Sequence, residues 1–306
     1  MKAWMRRVSW WALAGVLYLA LGAHASAQVV VTVDGNVANA TISLTDNNGV
    51  TYAADVTITF DTPVNLTPQS LNLTAELIDP AAVQDRLPAD AGSCFLLICV
   101  PGTEVDPRFP VMITVEPVDF AWLFANGFDG GDATGALQFL NTYDFEIHTH
   151  DLLYTDESPY RVYKAPIGGD FHDVTNDVTE GSVRVRGRGG AFSQFVVVED
   201  TRLGLTVALG KIVDLNLRIL AAALGDGLRL DLLALLAKVD ALILIDLGGA
   251  LDVLDELIAL LLDNAGTNIA NVWSAHHDVV NDAGEMEELA FTLRFSMLHP
   301  GSPNPP

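Results

Sequence analysis

The stretch ALILIDLGGALDVLDELIALLL, residues 241–262, is as apolar as a membrane span and has nearly the length of one. It nevertheless contains four acids, Asp246, Asp252, Asp255 and Glu256. A carboxylate near the centre of an inserted helix costs about 3 kcal/mol, whereas each Leu, Ile or Val returns only about 0.3–0.6 kcal/mol. The thirteen such residues return about 4–8 kcal/mol against about 8–12 kcal/mol for the acids. We therefore expect this stretch to stay out of the membrane.

The same stretch has the period of an amphipathic helix with an acidic outer side. Its apolar residues share one helix face: Leu247, Leu251, Leu254, Ile258 and Leu261. Gly248–Gly249 predicts a break between two helices. Together with the leucine-rich run before it, residues 212–265 predict two or three short helices in a helical hairpin, packed on the rest of the chain. Self-association or packing against a partner helix is the alternative use of so much leucine.

The N-terminus has the three parts of a secretory signal. Basic residues precede the uninterrupted apolar run VSWWALAGVLYLALG, and Ala25 and Ala27 occupy the small-residue positions of a cleavage site. We predict a signal peptide over residues 1–27, Gln28 as the first mature residue, and a periplasmic or extracellular location. An uncleaved anchor is the alternative. No Cys follows the cleavage site, so a lipoprotein is not expected.

The chain is strongly acidic, with a formal net charge of −23 over 306 residues. Cleavage removes 27 residues and three positive charges, which leaves 279 residues and a net charge of about −26. Such a field repels nucleic acid and anionic lipid, so neither is an expected partner, and no membrane span remains after cleavage.

Short runs rich in Val, Ile and Thr predict a mainly β protein. The first set comprises VVVTV, ATISLT, TYAADVTITF, LNLTAEL and PVMITVEP, separated by turn clusters. Several strands at this spacing predict an immunoglobulin-like β-sandwich over residues 28–120. The segment that follows, 121–136, is rich in Gly and Asp and is predicted to be a linker. A calcium loop is not expected from its Asn126, Asp129 and Asp132, because the alternating ligands of an EF-hand are missing.

Strand patterns return after the linker in YDFEIHTH, YRVYKA, GSVRVRG and AFSQFVVVED. Beyond the helical region, NVWSAHHDVVND and MEELAFTLRFSML are predicted to form a closing hairpin around DAG. Residues 137–306 therefore predict a second β-sandwich-like domain that carries the helical insertion 212–265.

Two sequence blocks carry a resemblance. GSVRVRGRGGAFSQF, residues 181–195, together with the helical hairpin and the TLRFS ending, resembles an uncharacterised family of secreted bacterial proteins. LFANGFD, residues 123–129, resembles a short signature of secreted proteobacterial proteins. The resemblance implies export and brings no activity.

The two cysteines of the chain, Cys94 and Cys99, lie close together in CFLLIC. In an exported protein such a pair is expected to form a disulfide that closes a tight loop. Two buried thiols are the alternative. The spacing differs from the C-x-x-C redox motif, so an oxidoreductase site is not expected.

One strand carries a candidate metal site. Alternation places four side chains of DFEIHTHD on one face: Asp144, Glu146, His148 and His150. Carboxylates and imidazoles suit zinc, and the AHHD segment (His276, His277, Asp278) offers a further ligand, above all His276. The alternative is that this polar side is the solvent face of an amphipathic strand. We expect no cofactor and no stoichiometric metal, with zinc as the alternative.

A row of arginines is the main basic cluster. Arg184, Arg186 and Arg188 alternate along GSVRVRGRGG, so they share a strand face. We expect them to pair with carboxylates on neighbouring strands. The alternative is a bidentate anchor for a carboxylated or phosphorylated ligand.

Familiar catalytic motifs are missing: the sequence has no G-x-S-x-G, S-x-x-K, H-E-x-x-H or Walker loop. The sequence therefore favours a secreted, non-catalytic protein with a role in binding, adhesion or envelope structure. A metal-dependent hydrolase that uses the His148 and His150 strand is the alternative.

If the chain is exported, its mature form should have a single defined N-terminus. Mass spectrometry of the protein recovered from the periplasm or medium should find Gln28 at the N-terminus, because the signal peptidase cuts after small residues. A retained Met1 in the exported protein would contradict the prediction.

Overall fold

The computed structural model describes residues 26–88, 93–95, 98–100, 102–118, 135–155, 157–276 and 279–301, and gives the backbone alone at 26–27, 93–95 and 98–100. The described strands are β1 (Ser26–Asp34), β2 (Val37–Thr45), β3 (Thr51–Val64), β4 (Leu73–Leu77), β5 (Ser93–Phe95), β6 (Ile98–Val100), β7 (Thr103–Val105), β8 (Val111–Val115), β9 (Gln138–Leu153), β10 (Tyr160–Ala165), β11 (His172–Asp173), β12 (Thr175–Thr179), β13 (Ser182–Gly189), β14 (Gln194–Asp200) and β15 (Val272–Ser274). The described helices are α1 (Pro68–Leu71), α2 (Pro80–Val83, followed by a 3₁₀ turn at Gln84–Arg86), α3 (Gly204–Ala221), α4 (Asp226–Leu242), α5 (Leu247–Asn264) and α6 (Asp282–Leu298).

The protein is mainly β, as predicted, and its strands form two large antiparallel sheets. The first sheet has the order β1-β2-β3-β9-β13-β12, with β15 paired to β9. The second has the order β11-β10-β14-β8-β4, with β7 paired to β14. The runs of alternating Val, Ile and Thr all form strands, because each presents one apolar face to the space between the sheets.

Strands from both sides of the predicted linker interleave in both sheets. β3 pairs with β9 in the first sheet, and β8 pairs with β14 in the second. One core fills the space between the sheets; Phe145 of the first sheet stacks on Phe195 of the second at 4.2 Å. This arrangement differs from the expected two consecutive sandwiches. Strand patterns identify strands but carry little information about which distant strand each one pairs with.

The outer face of the second sheet is partly covered by the α2 segment. Val83 and Leu87 pack there with Tyr163, Phe171 and other apolar residues of the sheet and its loops. The second sheet is therefore buried on both faces in this region, which explains why β14 reads as a continuous apolar run.

Helices α3 to α6 form a layer with its own apolar core. α5 buries Leu254, Ile258 and Leu261 and exposes its acids, as its period predicts. The break between α4 and α5 lies at residues 243–246 and not at Gly248–Gly249. The Asp246 carboxylate accepts a hydrogen bond from the Gly249 amide at 3.0 Å, so this Asp is the N-cap and the glycines lie in the first turn of α5.

The predicted C-terminal hairpin is wrong: residues 282–298 form the helix α6. Met286, Ala290, Leu293 and Met297 are spaced i, i+4, i+7 and i+11 and face the core of the helical layer. The opposite side of α6 contacts β9, β12 and β13. α6 is buried on most of its circumference. Its sequence therefore lacks a single apolar face with the helical period, and without that period the segment was predicted to be a strand.

None of the described helices combines the length and apolar character that a membrane crossing needs. The stretch 241–262 is divided between the end of α4, the turn 243–246 and α5.

The start of α6 is tied to the first sheet and its loops. The Asn281 side chain caps the helix by accepting from the Gly284 amide at 2.9 Å, and its amide donates to the carbonyls of Asn141 (2.6 Å) and Gly190 (2.9 Å). A Cβ atom at Gly190 would overlap the backbone of Gly284 and Glu285. Glycine is therefore required where the β13–β14 loop meets α6.

Gly190→Ala should destabilise the protein by about 1–3 kcal/mol, because backbone atoms must move to admit the methyl group. Gly227→Ala in α4 is the matched control: its Cβ would meet nothing within 4 Å, and the change should stabilise by about 0.4–1 kcal/mol. Urea denaturation followed by circular dichroism measures both. Equal stability of the two variants would contradict the close contact.

Candidate functional site

The polar face of β9 brings two of the predicted metal ligands together with a third that the sequence did not reveal. His150 Nε2 lies 2.9 Å and His148 Nδ1 lies 3.9 Å from Asp55 Oδ2 of β3. Glu146 is engaged elsewhere, because its carboxylate accepts from Arg186 Nε at 2.5 Å. The metal candidates thus reduce to Asp55, His148 and His150, which could hold one ion.

His276 lies far from this group. It follows β15, whose Ser274 faces Gln138 at the start of β9. His148 is ten residues further along β9 than Gln138, which places it roughly 33 Å away along the strand. His277 and Asp278 lie outside the described residues, as do Asn126, Asp129 and Asp132.

The arginine row of β13 pairs with carboxylates on both flanking strands and on α6. Arg186 contacts Glu146 and Asp177, the latter at 2.6 Å. Arg184 approaches Glu146 at 3.9 Å. This is the pairing that alternation predicts.

Arg188 contacts α6 as well as a neighbouring strand, which the sequence did not predict. It pairs with Asp144 at 3.0 Å and with the buried Glu287 of α6 at 2.6 Å, and it stacks on the Phe291 ring at 4.5 Å. This arginine therefore joins the first sheet to the helical layer.

The antiparallel register of β5 with β6 pairs Cys94 with Cys99. Directly opposed strand residues have Cα separations within the range a disulfide spans. Their side chains lie outside the description, so the disulfide stays a prediction.

A cavity with a volume of about 810 Å³ lies between the end of the sandwich and the helical layer. We call it the cleft. One wall is a face of α3 (Val207, Gly210, Lys211, Asp214, Arg218), and the others come from β10, β11, α6 and the segments 166–173, 191–193 and 279–281. This volume lies in the range of small-molecule sites.

Glu288 of α6 is the centre of one buried charge cluster beside the cleft. Its carboxylate forms an ion pair with the buried Lys164 of β10 and accepts from His172 Nε2 of β11 at 3.0 Å and from the Gly190 amide at 3.1 Å. Burial opposes ionisation, but Lys164 and His172 outweigh it and lower the pKa of Glu288 to about 2. The carboxylate is therefore ionised at every physiological pH.

Lys211 of α3 is the centre of a second buried cluster. Its ammonium donates to Asp173 Oδ2 at 2.6 Å, to the Thr292 hydroxyl at 2.6 Å and carbonyl at 3.0 Å, and to the Ser296 hydroxyl at 2.9 Å. Burial lowers the pKa of Lys211, while Lys211 holds the pKa of the buried Asp173 below its usual value against the effect of burial. With four acceptors around three N–H groups, this amine is saturated and is not available as a nucleophile.

The apolar wall of the cleft is rigid because it continues into the sandwich core. Phe192 stacks on Tyr143 at 4.6 Å and meets Trp273 edge-on at 5.2 Å. Trp273 in turn stacks on Phe139 at 5.3 Å. Phe192 and Trp273 both line the cleft, so a ligand would meet a preformed aromatic surface.

The exposed charges at the cleft are acidic. Lys164, Lys211 and Arg218 line it but are neutralised by carboxylates. Asp170 and Asp214 also line it, are exposed, and have no ion pair within the described part of the chain. The electrostatic field at the cleft therefore favours a cationic group over an anionic one.

Sequence reasoning missed the cleft. One signal was available: Lys211 falls on the buried face of α3 with Ala208, Ile212 and Leu215. A basic residue on an apolar helix face indicates a buried partner. Its partners Asp173 and Thr292 are 38 and 81 positions away, so no local pattern could identify them.

The comparisons with known proteins name a family and no activity. A model described as "Family of unknown function (DUF6689)" matches residues 14–300. This confirms the expected membership of an uncharacterised family. No curated protein and no solved structure matches the chain.

Glu288→Gln should destabilise the protein by about 3 kcal/mol at neutral pH, because it leaves the buried Lys164 without its counter-charge. The pKa of Glu288 is lower in the folded protein than its ordinary 4.5, so ionisation stabilises the fold fully above that pH. This stabilisation is lost as the pH falls from 4.5 towards about 2.

Urea denaturation of wild type and Glu288→Gln at a series of pH values tests this. The difference in free energy of unfolding should narrow as the pH falls through that window. Glu76→Gln, at an exposed position of β4, is the control and should be close to wild type throughout. A difference between Glu288→Gln and wild type that does not depend on pH would contradict the assignment.

Proposed function

The chain belongs to a family whose function is unknown, and we propose from its geometry that it is an exported, non-catalytic binding protein. Its ligand is a small amphiphile with an apolar body and a cationic or hydrogen-bond-donating end, bound in the cleft. The observation that carries the proposal is the cavity of about 810 Å³ between the sandwich and the helices. Adhesion or envelope structure would need no concave site of this size.

The lining supports an amphiphile in particular. Phe171, Phe192, Trp273 and Leu289 offer apolar surface, and Val279 and Val280 stand exposed at the mouth. The polar groups at the rim with unsatisfied charge are Asp170 and Asp214. An apolar pocket with few directed polar groups is the usual form of a small-molecule site.

Binding without catalysis fits the chemistry of the lining. Lys211 is saturated by its acceptors, and Glu288 is held by Lys164, His172 and the Gly190 amide. His172 is half-buried and paired to Glu288. These groups stabilise the interface between sheet and helices, and none of them has the nucleophile and base geometry of a covalent catalyst.

Catalysis by a metal on the His148 and His150 strand is the competing function. The cleft lining includes neither histidine, so such a hydrolase would have to act on the open face of the first sheet. Catalysis is favoured where a site excludes water from the substrate, and an open sheet face excludes little. The geometry therefore supports the binding function over the hydrolase.

Export to the periplasm or outside of the cell is part of the proposal. The three-part N-terminus supports it. β1 begins at Ser26, so cleavage before Gln28 removes the first two residues of that edge strand. A Cys94–Cys99 disulfide belongs to the same proposal, because only an oxidising compartment would keep it.

Self-association through the helical layer also stays a proposal. α3 exposes Val213, Leu217 and Leu220, which are spaced i, i+4 and i+7, and the turn after α4 exposes Leu244 and Ile245. A row of this spacing is typical of helix pairing.

The test is a fluorescence titration with two dansyl dyes, the amine dansylcadaverine and the carboxylate dansylglycine. The amine should bind more tightly because of the acidic rim. Gly210→Leu should weaken its binding at least tenfold, since a Cβ at Gly210 meets nothing within 4 Å and the new side chain would enter the cleft.

Gly227→Leu is the matched control, because it adds the same side chain to an exposed and unobstructed position of α4. It should bind the dye as wild type does. Asp214→Asn should weaken binding of the amine dye only. If Gly210→Leu binds both dyes unchanged, the cleft is not the binding site.

A further inference from the structure

The outer face of the first sheet holds a group of three metal-ligating side chains apart from the cleft. β3 and β9 are antiparallel neighbours, and their register places Asp55 directly opposite His148. His150 is two residues further along β9 and so projects from the same face. The ligand atoms of Asp55, His148 and His150 lie within 4.8 Å of one another.

The far atoms of two of these ligands are held by other side chains. The Thr41 hydroxyl of β2 donates to Asp55 Oδ1 at 3.1 Å. The Ser182 hydroxyl of β13 lies 2.5 Å from His148 Nε2. These contacts leave Asp55 Oδ2 and His148 Nδ1 turned towards His150 Nε2. Hydrogen bonds of this kind to the outer atoms orient the ligands in protein metal sites.

We propose that Asp55, His148 and His150 bind one zinc-like divalent transition metal, with a fourth coordination position open to solvent. Bonds of about 2.1 Å in a tetrahedral site separate neighbouring ligand atoms by about 3.4 Å. The separations of 2.9 Å and 3.9 Å from Asp55 Oδ2 lie on either side of that value. The remaining separation, between the two imidazoles, is within 4.8 Å, so rotation of the side chains towards a common centre would complete the site.

The donor set selects the class of metal. Two imidazoles and one carboxylate suit zinc, copper, nickel or ferrous iron, whereas calcium and magnesium require oxygen ligands. The net charge of the protein, −23, attracts cations. Arg184 of β13 lies directly opposite His148 of β9, and its positive charge opposes the binding of a cation there. Its guanidinium is also 3.9 Å from the Glu146 carboxylate, which offsets part of that charge.

The same atoms resemble a Ser–His–Asp triad, and the distances argue against that use. A triad requires a hydrogen bond between the second histidine nitrogen and the carboxylate. His148 Nδ1 is 3.9 Å from Asp55 Oδ2, which is beyond hydrogen-bond distance, and that oxygen is bonded to His150 at 2.9 Å. The ligand atoms of Asp55, His148 and His150 therefore surround one common position, as metal ligands do, and do not form the linear hydrogen-bonded chain of a proton relay.

The experiment is calorimetric titration of the metal-free, untagged protein with zinc sulfate, repeated with cobalt(II) and followed by visible absorption. Wild type should bind one equivalent, and the cobalt spectrum should be that of a tetrahedral site with nitrogen and oxygen ligands. Asp55→Ala and His148→Ala should each weaken binding at least 100-fold. Ser182→Ala should weaken it about tenfold, the usual effect of losing a group that orients a ligand.

Two controls separate this site from other effects. His276→Ala removes a histidine at the opposite end of β9 and should leave zinc affinity unchanged. Gly210→Leu blocks the cleft and should do the same, so the metal site and the binding function are tested separately. Melting temperatures confirm that each variant is folded. Absence of zinc binding by wild type, or equal binding by wild type and the folded Asp55→Ala and His148→Ala variants, would overturn the proposal.

Discussion

The attachment of the helical layer to the sandwich depends on a buried carboxylate, that of Glu288. This side chain of α6 contacts β10, β11 and the β13–β14 loop at once, through Lys164, His172 and the Gly190 amide. A buried charge is costly unless its partners are all in place. The helix therefore fits in only one position, and that position defines the walls of the cleft.

Charged groups, rather than apolar surface, decide how the two layers fit together. Lys211 with Asp173, and Arg188 with Glu287, repeat the same arrangement on either side of Glu288. Apolar contacts tolerate small shifts, whereas a paired ammonium or guanidinium needs its acceptors within hydrogen-bond distance. The cleft is consequently a rigid, preformed volume, and this reduces the entropy that a ligand would lose on binding.

Local patterns in the sequence predicted most strands and the amphipathic α5, because a period of two or of 3.6 residues reports which face is buried. They failed at α6, where burial on nearly all sides removes the period, and at the pairing of strands across the predicted linker. The candidate metal ligands His148 and His150 came from the same local reasoning. Asp55 could not be identified in this way, because it lies 95 positions from His150 and only the pairing of β3 with β9 brings it to the two histidines.

The order of the elements along the chain has a consequence for biogenesis. α6 lies at the C-terminal end of the described chain, yet its Glu288 partners Lys164, 124 positions earlier, and its cap Asn281 binds Asn141, 140 positions earlier. Contacts of such sequence separation form slowly. A nascent chain that ends before α6 leaves Lys164 without the Glu288 carboxylate and removes three of the four acceptors of Lys211. The sandwich and the helical layer can therefore dock only after residues 282–298 have been synthesised, and until then one wall of the cleft is missing.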